Sequence, residues 1–453
     1  MITSHSLQTL PWGESISHIL LAALQAVDPA QAVRRHLQRK GDFLDILGEQ
    51  INLTEIGQIF VIGAGKAGTP MVQALIELLG DRITAGIVVV KEGYQPAPGL
   101  HTQGKIEIIE AGHPIPDRRG VQATQRIIEL LNLTQKEDLV ICLISGGGSA
   151  LLVAPPEGVS LEDLQILTNQ LLACGANIQE INTLRKHLDQ VKGGNLARHA
   201  APARLITLIL SDVVGNPVDS IASGPTVPDS STFADASSII RKYALSQKIP
   251  PTITTHLKRG ERGELPETPK PGELLFENTR NAIIGGNLQA AIAAVERAKA
   301  EGFHTLLLTT YLQGEARYVG KMLAAIARQI DVTGQPIPRP ACLVAGGETT
   351  VTIQGKGKGG RNQEVALGAV ADMSDLKNAV LIALATDGSD GPTDAAGAIA
   401  TGESLRRSLD LGMEPEDYLQ NNDSYHYFKA LGDLLITGPT HTNVNDLNLL
   451  FLR

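Results

Sequence analysis

Five short apolar runs mark the first half of this 453-residue chain: Ile59–Ile62, Ile87–Val90, Ile106–Ile109, Leu139–Ile144 and Leu205–Leu210, each with glycine a few residues on. Runs of this length fit strands buried on both faces rather than amphipathic helices. The segments Met71–Leu79 and Val121–Leu131 between them are long enough for helices. Strands alternating with helices predict parallel pairing through crossovers, hence a doubly wound α/β sheet. Such sheets bind ligands beyond the carboxyl ends of their strands, so the loops that follow the runs are the places to search.

The chain is longer than the roughly 250–300 residues at which one core stops growing, and two domains are expected. Residues Lys258–Gly272 read KRGERGELPETPKPG and have no apolar periodicity. The junction is placed there, dividing 1–257 from 273–453. Beyond it, runs at Thr305–Thr309, Ala341–Ala345 and Val380–Ala385, with a helix at Leu288–Ala300, predict a second α/β unit. The Pro-rich Thr333–Pro340 is read as a loop within it. Helical spacing at Ile16, Ile19, Leu20, Ala23 and Leu24, then Asp28-Pro29 as cap and first helical residue, makes the first fifty residues helical.

Net charge is -9 with no basic stripe, which argues against nucleic acid as a partner. No uninterrupted apolar stretch of about 18 residues is present, so a membrane span is not expected. Met1–Glu14 lacks the basic and apolar regions of a secretory signal, and the cytoplasm is the expected compartment. Cys142, Cys174 and Cys342 have no metal-binding spacing and are read as free thiols.

Six loops have unusual chemistry. Gly63-Ala64-Gly65-Lys66-Ala67-Gly68 matches the dinucleotide pattern GxGxxG, with Glu92 as a candidate ribose ligand, but a lysine inside the loop suits phosphoryl chemistry better. Ser145-Gly146-Gly147-Gly148-Ser149 can offer successive N–H groups to an anion. Lys186 lies in Asn182–Leu188, a helix whose cations are either solvated or functional. Asp212 directly follows an apolar run, where a base, a metal ligand or a helix cap could sit. Glu348 lies in Gly346–Thr350, and the loop GKGKGGRNQE that follows holds Asn362 and concentrates on Lys356, Lys358 and Arg361 a positive charge suited to a polyphosphate. Thr386–Asp394 (TDGSDGPTD) places Asp387 and Asp390 where they could ligate Mg²⁺, or could simply form a turn.

Together these segments resemble the glycerate 2-kinase family, whose C-terminal part is the MOFRL domain. The matching motifs are GAGKAG (Gly63–Gly68), GHPIPD (Gly112–Asp117), SGGGSALL (Ser145–Leu152), INTLRKHLDQVKGGNLA (Ile181–Ala197), SDVVGNPVDSIASGPTVPD (Ser211–Asp229), GGETTV (Gly346–Val351), GGRNQE (Gly359–Glu364) and TDGSDGPTDAAG (Thr386–Gly397). The resemblance implies a Rossmann-like three-layer α/β/α domain with a mostly parallel sheet, a C-terminal α/β domain containing MOFRL at about 335–453, and an active site in the cleft between domains. It implies transfer of the γ-phosphoryl of ATP to the 2-hydroxyl of D-glycerate, with Mg²⁺ as cofactor. The family's catalytic lysine, aspartate and arginine fall on Lys66, Asp212 and Arg361. Gly63, Gly65, Ser145, Gly146, Gly147, Gly148, Ser149, Lys186, Glu348 and Asn362 are the expected ATP- or substrate-binding set, and Asp387 and Asp390 the metal ligands. Whether the Ser145–Ser149 loop holds a phosphate or the glycerate carboxylate stays open. One departure is His441, where the family pattern leads us to expect glycine. An NAD(P)H-dependent hydroxypyruvate reductase is the alternative activity, and a non-catalytic sensor of sugar acids or nucleotides a third. A homodimer is the assembly to test.

Overall fold

The computed structural model describes residues 2–94 and 104–453. The chain divides into two compact units. The parallel-sheet unit comprises 29–211 and 216–284, and the mixed-sheet unit the chain up to Asp28, Asp212–Gly215 and Gly285–Arg453.

In the parallel-sheet unit a small antiparallel sheet comes first, with β1 (Leu37–Lys40), β2 (Phe43–Ile46) and β3 (Glu49–Asn52) in sequential order. The expected helices are present at Gly13–Ala26 and Pro29–His36, and the reading of the first fifty residues as helical is corrected only from Leu37 on. Leu37, Leu44, Ile46 and Ile51 are buried, Leu44 and Ile46 at two-residue spacing, while Gly41 and Gly48, with φ of +61° and +76°, make the turns. The main sheet has six strands: β4 (Ile59–Ala64), β5 (Ile83–Lys91), β6 (Ile106–Ala111), β7 (Leu139–Ile144), β8 (Arg204–Leu210) and β9 (Thr279–Gly285). Their order is β6-β5-β4-β7-β8-β9, and the pairings from β6 across to β8 are parallel. Every residue of β4 and β7 is buried, as a strand covered on both faces requires, and the architecture is Rossmann-like and three-layered. The strand order reverses between β4 and β7, so the loops leaving these two strands lie side by side at the switch point. A satellite core of Leu167, Leu171, Leu184, Phe233, Ile240 and Ile253 holds a group of helices together beyond the sheet.

The mixed-sheet unit contains β10 (His304–Leu312), β11 (Ala341–Gly347), β12 (Ala379–Ala385), β13 (Gly397–Thr401), β14 (Leu434–Leu435) and β15 (Asp446–Leu452). The order is β10-β11-β15-β12-β13-β14, with β10 and β11 parallel and the remaining pairs antiparallel. The last strand of the chain, absent from the sequence reading, is thus central, and all seven of its residues are buried. Its first residue is Asp446, which brings a carboxylate to the strand-end level of β11 and β12.

The junction expected at Lys258–Gly272 lies instead inside the parallel-sheet unit. The helix Pro251–Glu261 runs through Lys258, and Thr268 is buried, donating to Asp229 at 3.0 Å. The Asp229 amide in turn donates to the Pro269 carbonyl at 2.9 Å. The boundary falls near Gly285, after β9 has joined the sheet. The N-terminal helix Gly13–Ala26 also belongs to the other unit, because Trp12 packs with Phe303 and Phe451, ring centroids 5.5–6.0 Å apart. Among the described residues no single helix is long and apolar enough to cross a membrane.

Candidate functional site

In the parallel-sheet unit the loops after β4 and β7 are bonded to each other. The Lys66 amide donates to the Gly146 carbonyl at 2.9 Å, the Ala67 amide to Ser145 Oγ at 3.0 Å, and the Ser145 amide to the Ala64 carbonyl at 3.1 Å. This contact explains the first glycines. A Cβ on Gly63 would stand 2.2 Å from the Leu143 carbonyl oxygen, and one on Gly65, at φ +141°, would stand 2.1 Å from Ser145 Oγ. Packing of loop on loop is thus a sufficient reason for glycine at 63 and 65 in the GxGxxG match. Glu92 accepts from Arg119 at 2.9 Å, so the structure gives the candidate ribose ligand a protein partner.

The second loop keeps donors in reserve. Gly148 N–H closes a turn onto the Ser145 carbonyl at 3.2 Å, and among the described residues we find no acceptor for the Gly146 or Gly147 amides. Gly147 is left-handed at φ +84°. Adjacent amides exposed by such a turn form a concave anion site. Ser149 Oγ lies 2.8 Å from Ser223 Oγ, which donates to Asn182 Oδ1 at 3.1 Å. Ala222 and Ser223 hold φ of +50° and +62°, a costly conformation for residues with a Cβ, and the Ala222 methyl would stand 3.0 Å from a Cβ on Gly148. The Ser145–Ser149 turn is thus braced from the segment 221–223, whose role sequence reading missed.

His113 is the other residue missed here. Its ring carbon Cδ2 and Nε2 lie 2.8 and 2.9 Å from where a Cβ on Gly147 would stand. Burial, then the Lys66 and Lys91 ammoniums, bring its pKa down to about 4, so the imidazole is neutral at physiological pH.

Lys186 takes a different role from the one expected. It is buried and pairs with Asp229 at 3.2 Å, and Asp229 also accepts from Ser231 and Thr268. This is an internal ion pair that fixes the helix Ile178–His187 to the following segment. Asp189 and Lys192 form a second buried pair at 2.6 Å, with Lys192 also donating to the Leu152 carbonyl just beyond the glycine-rich turn.

In the mixed-sheet unit the structure gathers Asp212, Glu348 and Arg361 around Asn445, which precedes β15, and Asp446, which opens it. Asn445 Nδ2 donates to the Asp212 carbonyl at 2.6 Å and to Glu348 Oε2 at 2.9 Å. Arg361 binds Asp446 through Nε at 2.5 Å and Nη2 at 3.0 Å, and reaches Glu348 with Nη1 at 2.8 Å. Burial opposes the Arg361 charge, but the Asp446 carboxylate, then Glu348 and Asp390, raise its pKa above the ordinary value. Burial pushes Asp446 up to about 7 against the pull of Arg361. The guanidinium is fixed rather than mobile. The GKGKGG loop before it is fixed as well: the Lys356 and Lys358 amides donate to Asn421 and Asp423 side chains at 3.1 and 2.9 Å, and the Lys358 ammonium sits 4.3 Å from the Tyr425 ring centroid.

The two aspartates of the TDGSDG turn separate in role. Asp390 is buried, and its carboxylate accepts from the amides of Asn362 at 3.1 Å and Gln363 at 2.8 Å and from Asn362 Nδ2 at 3.3 Å. It therefore caps the helix Arg361–Ala369, with the Asn362 side chain among its donors. Asp387 is half-buried and accepts from the Ser389 amide at 3.1 Å. Among the described residues no group of three or more His, Cys, Asp or Glu is placed to hold a metal. A dedicated protein cage does not fit this turn. An ion that arrives with its own oxygen ligands and needs one carboxylate does. His441, at φ +59°, occupies the left-handed region that favours glycine, in keeping with the glycine expected there.

Known proteins resemble this chain over most of its length. The model of a domain of unknown function, DUF4147, matches residues 15–258, and that of the MOFRL family residues 341–446. A glycerate 2-kinase from Pyrococcus horikoshii is 43% identical, over 94% of this chain and 94% of that protein. A relative from Agrobacterium vitis, provisionally named a hydroxypyruvate reductase, is 41% identical over 96% of this chain and 94% of its own length. The crystal structure of a glycerate kinase from Thermotoga maritima superposes with a TM-score of 0.86 at 40% identity, covering 97% of this chain and 99% of that one.

Proposed function

Because the chain belongs to the glycerate 2-kinase family, a family of phosphotransferases, we propose that it moves the γ-phosphoryl of ATP to the 2-hydroxyl of D-glycerate. The observation that carries this reading is the Arg361 guanidinium held by Asp446 and Glu348 in the cluster that also holds Asp212. Phosphoryl transfer needs little covalent chemistry from a protein and much alignment and positive charge.

On this reading the substrate hydroxyl oxygen attacks the γ-phosphorus, the bond to the bridging oxygen of ADP breaks, and the hydroxyl proton passes to the Asp212 carboxylate. Lys66 and Arg361 offset the charge on the transferring group. The Gly146 and Gly147 amides take an anionic oxygen of phosphate or of the glycerate carboxylate. Asp387 is the carboxylate that would hold a magnesium ion brought by the nucleotide, and such an ion would neutralise phosphate charge.

The reductase alternative rests on GxGxxG, whose glycines pack loop on loop, and on the provisional name of the Agrobacterium vitis relative. The test is incubation with D-glycerate, ATP and Mg²⁺ followed by phosphorus NMR, which resolves 2- from 3-phosphoglycerate. Appearance of the 3-isomer alone refutes the regiochemistry. Oxidation of NAD(P)H by hydroxypyruvate without phosphoryl transfer refutes the kinase reading.

A further inference from the structure

The histidine beside the glycine-rich turn has no place in the chemistry just described, although it touches the backbone of that turn. His113 lies against Gly147, the middle residue of Ser145–Ser149, with its Cδ2–Nε2 edge toward the loop. Other buried or half-buried imidazoles in this unit are satisfied by protein. His187 meets the Thr183 carbonyl at 2.8 Å and Glu267 at 3.2 Å, and His199 meets Asn132 and the Gln190 carbonyl, each at 3.2 Å. For His113, which is half-buried, we find no hydrogen bond to either ring nitrogen among the described residues, so the ring edge beside Gly147 is open to a ligand.

We propose that His113 is a substrate-contacting residue that binds a hydroxyl of the hydroxy-acid acceptor at the Gly147 side of the glycine-rich turn. The inference rests on the kinase reading and deepens it by assigning the acceptor a residue. The chemistry of the ring selects the partner. A neutral imidazole has one N–H and one lone pair, and the lone pair needs a donor. Phosphates and carboxylates present acceptors only, whereas a hydroxy acid presents hydroxyl protons. Burial and the two neighbouring lysines keep the ring in this neutral form. The amides of Gly146 and Gly147, which are donors, complement it, so one small molecule carrying both a hydroxyl and an anionic group matches the combined surface. Fixing Gly147 as glycine follows from the same contact, since any Cβ there would collide with the ring.

The test uses the full chain with His113→Phe, which keeps a planar ring without nitrogen, and His113→Gln, which restores an amide able to donate and accept. Loss of one hydrogen bond in a desolvated site corresponds to roughly tenfold or more in affinity. His113→Phe is therefore expected to raise the KM for D-glycerate by roughly tenfold or more, with the KM for ATP within about twofold of wild type, and His113→Gln to recover part of the loss. An unchanged glycerate KM in a folded His113→Phe enzyme overturns the proposal. A raised ATP KM with unchanged glycerate KM also overturns it and moves the residue to the nucleotide. A second readout does not depend on turnover or on the Phe variant folding. In chain labelled with ¹⁵N-histidine, the His113 ring signal, identified by its loss in His113→Gln, is expected to shift as D-glycerate is added without nucleotide. A signal unmoved at saturating glycerate overturns the proposal. A wild type without glycerate-dependent ATP turnover refutes the kinase reading instead, and the titration still decides whether His113 meets the hydroxy acid.

Discussion

Lys66 and Arg361 are both assigned to the transferring phosphoryl group, yet their surroundings predict different consequences of removal. Lys66 lies on a loop whose backbone bonds hold the neighbouring turn. Lys66→Met is expected to lower kcat by roughly 10²–10⁵-fold with little change in Tm. Arg361 compensates the buried Asp446, so Arg361→Met is expected to cost stability as well, about 3–5 kcal/mol, by leaving that carboxylate unpaired. Arg361→Lys keeps a charge but loses the bidentate fork, and should lose activity with less destabilisation. Denaturant melts alongside kcat separate the two effects, and an Arg361→Met protein as stable as wild type would refute the structural half of the argument. Lys186 is the contrasting case. Lys186→Met strands Asp229 and is expected to destabilise by about 3–5 kcal/mol while kcat per folded molecule stays unchanged. A loss of kcat without loss of stability would return Lys186 to the site.

The helix Arg361–Ala369 and the TDGSDG turn act as one device, because the turn's Asp390 supplies the cap that the helix start needs. Asp390→Ala is expected to cost about 1–2 kcal/mol or more, the usual loss for a cap, and to displace Arg361 at the first position of the helix. Asp387→Asn, by contrast, is expected to raise the magnesium concentration for half-maximal rate and leave Tm nearly unchanged. Magnesium titrations of both variants check the division: a selective magnesium effect in Asp390 variants, with none in Asp387, would reverse the roles.

The two units are discontinuous in sequence, which makes the N-terminal segment part of the C-terminal fold. Trp12 is buried against Phe303 and Phe451, and Thr442 Oγ1 donates to the Val27 carbonyl at 2.7 Å. Trp12→Ala is expected to cost about 3–5 kcal/mol. Cutting the chain at residue 258 should not yield two folding halves, since the C-terminal piece lacks this helix and the N-terminal piece lacks β9. Circular dichroism of the pieces checks this: cooperative melting of an isolated 273–453 would refute it.

The sequence alone determined the parallel sheet, because apolar runs such as Leu139–Ile144 must be buried on both faces and the helical segments between them force crossovers. It also located the loops after β4 and β7, since glycine at strand ends leaves a local signal. The three strands of 37–52 also left a signal, the two-residue spacing of Leu44 and Ile46, which helical priors from the preceding segment obscured. What only tertiary structure decided were the partners of charged groups. Nothing local distinguishes Lys186, paired internally, from Lys66, or Asp390, capping a helix, from Asp387. Those partners are Asp229, 43 residues from Lys186, and the amides of Asn362 and Gln363, 28 and 27 residues from Asp390. Asp446 reached Arg361 across 85 residues because the final strand inserts between β11 and β12, and its apolar pattern specifies burial without specifying neighbours. Charge pairing depends on distances that folding sets between remote segments, whereas strand and helix patterns are written in consecutive residues.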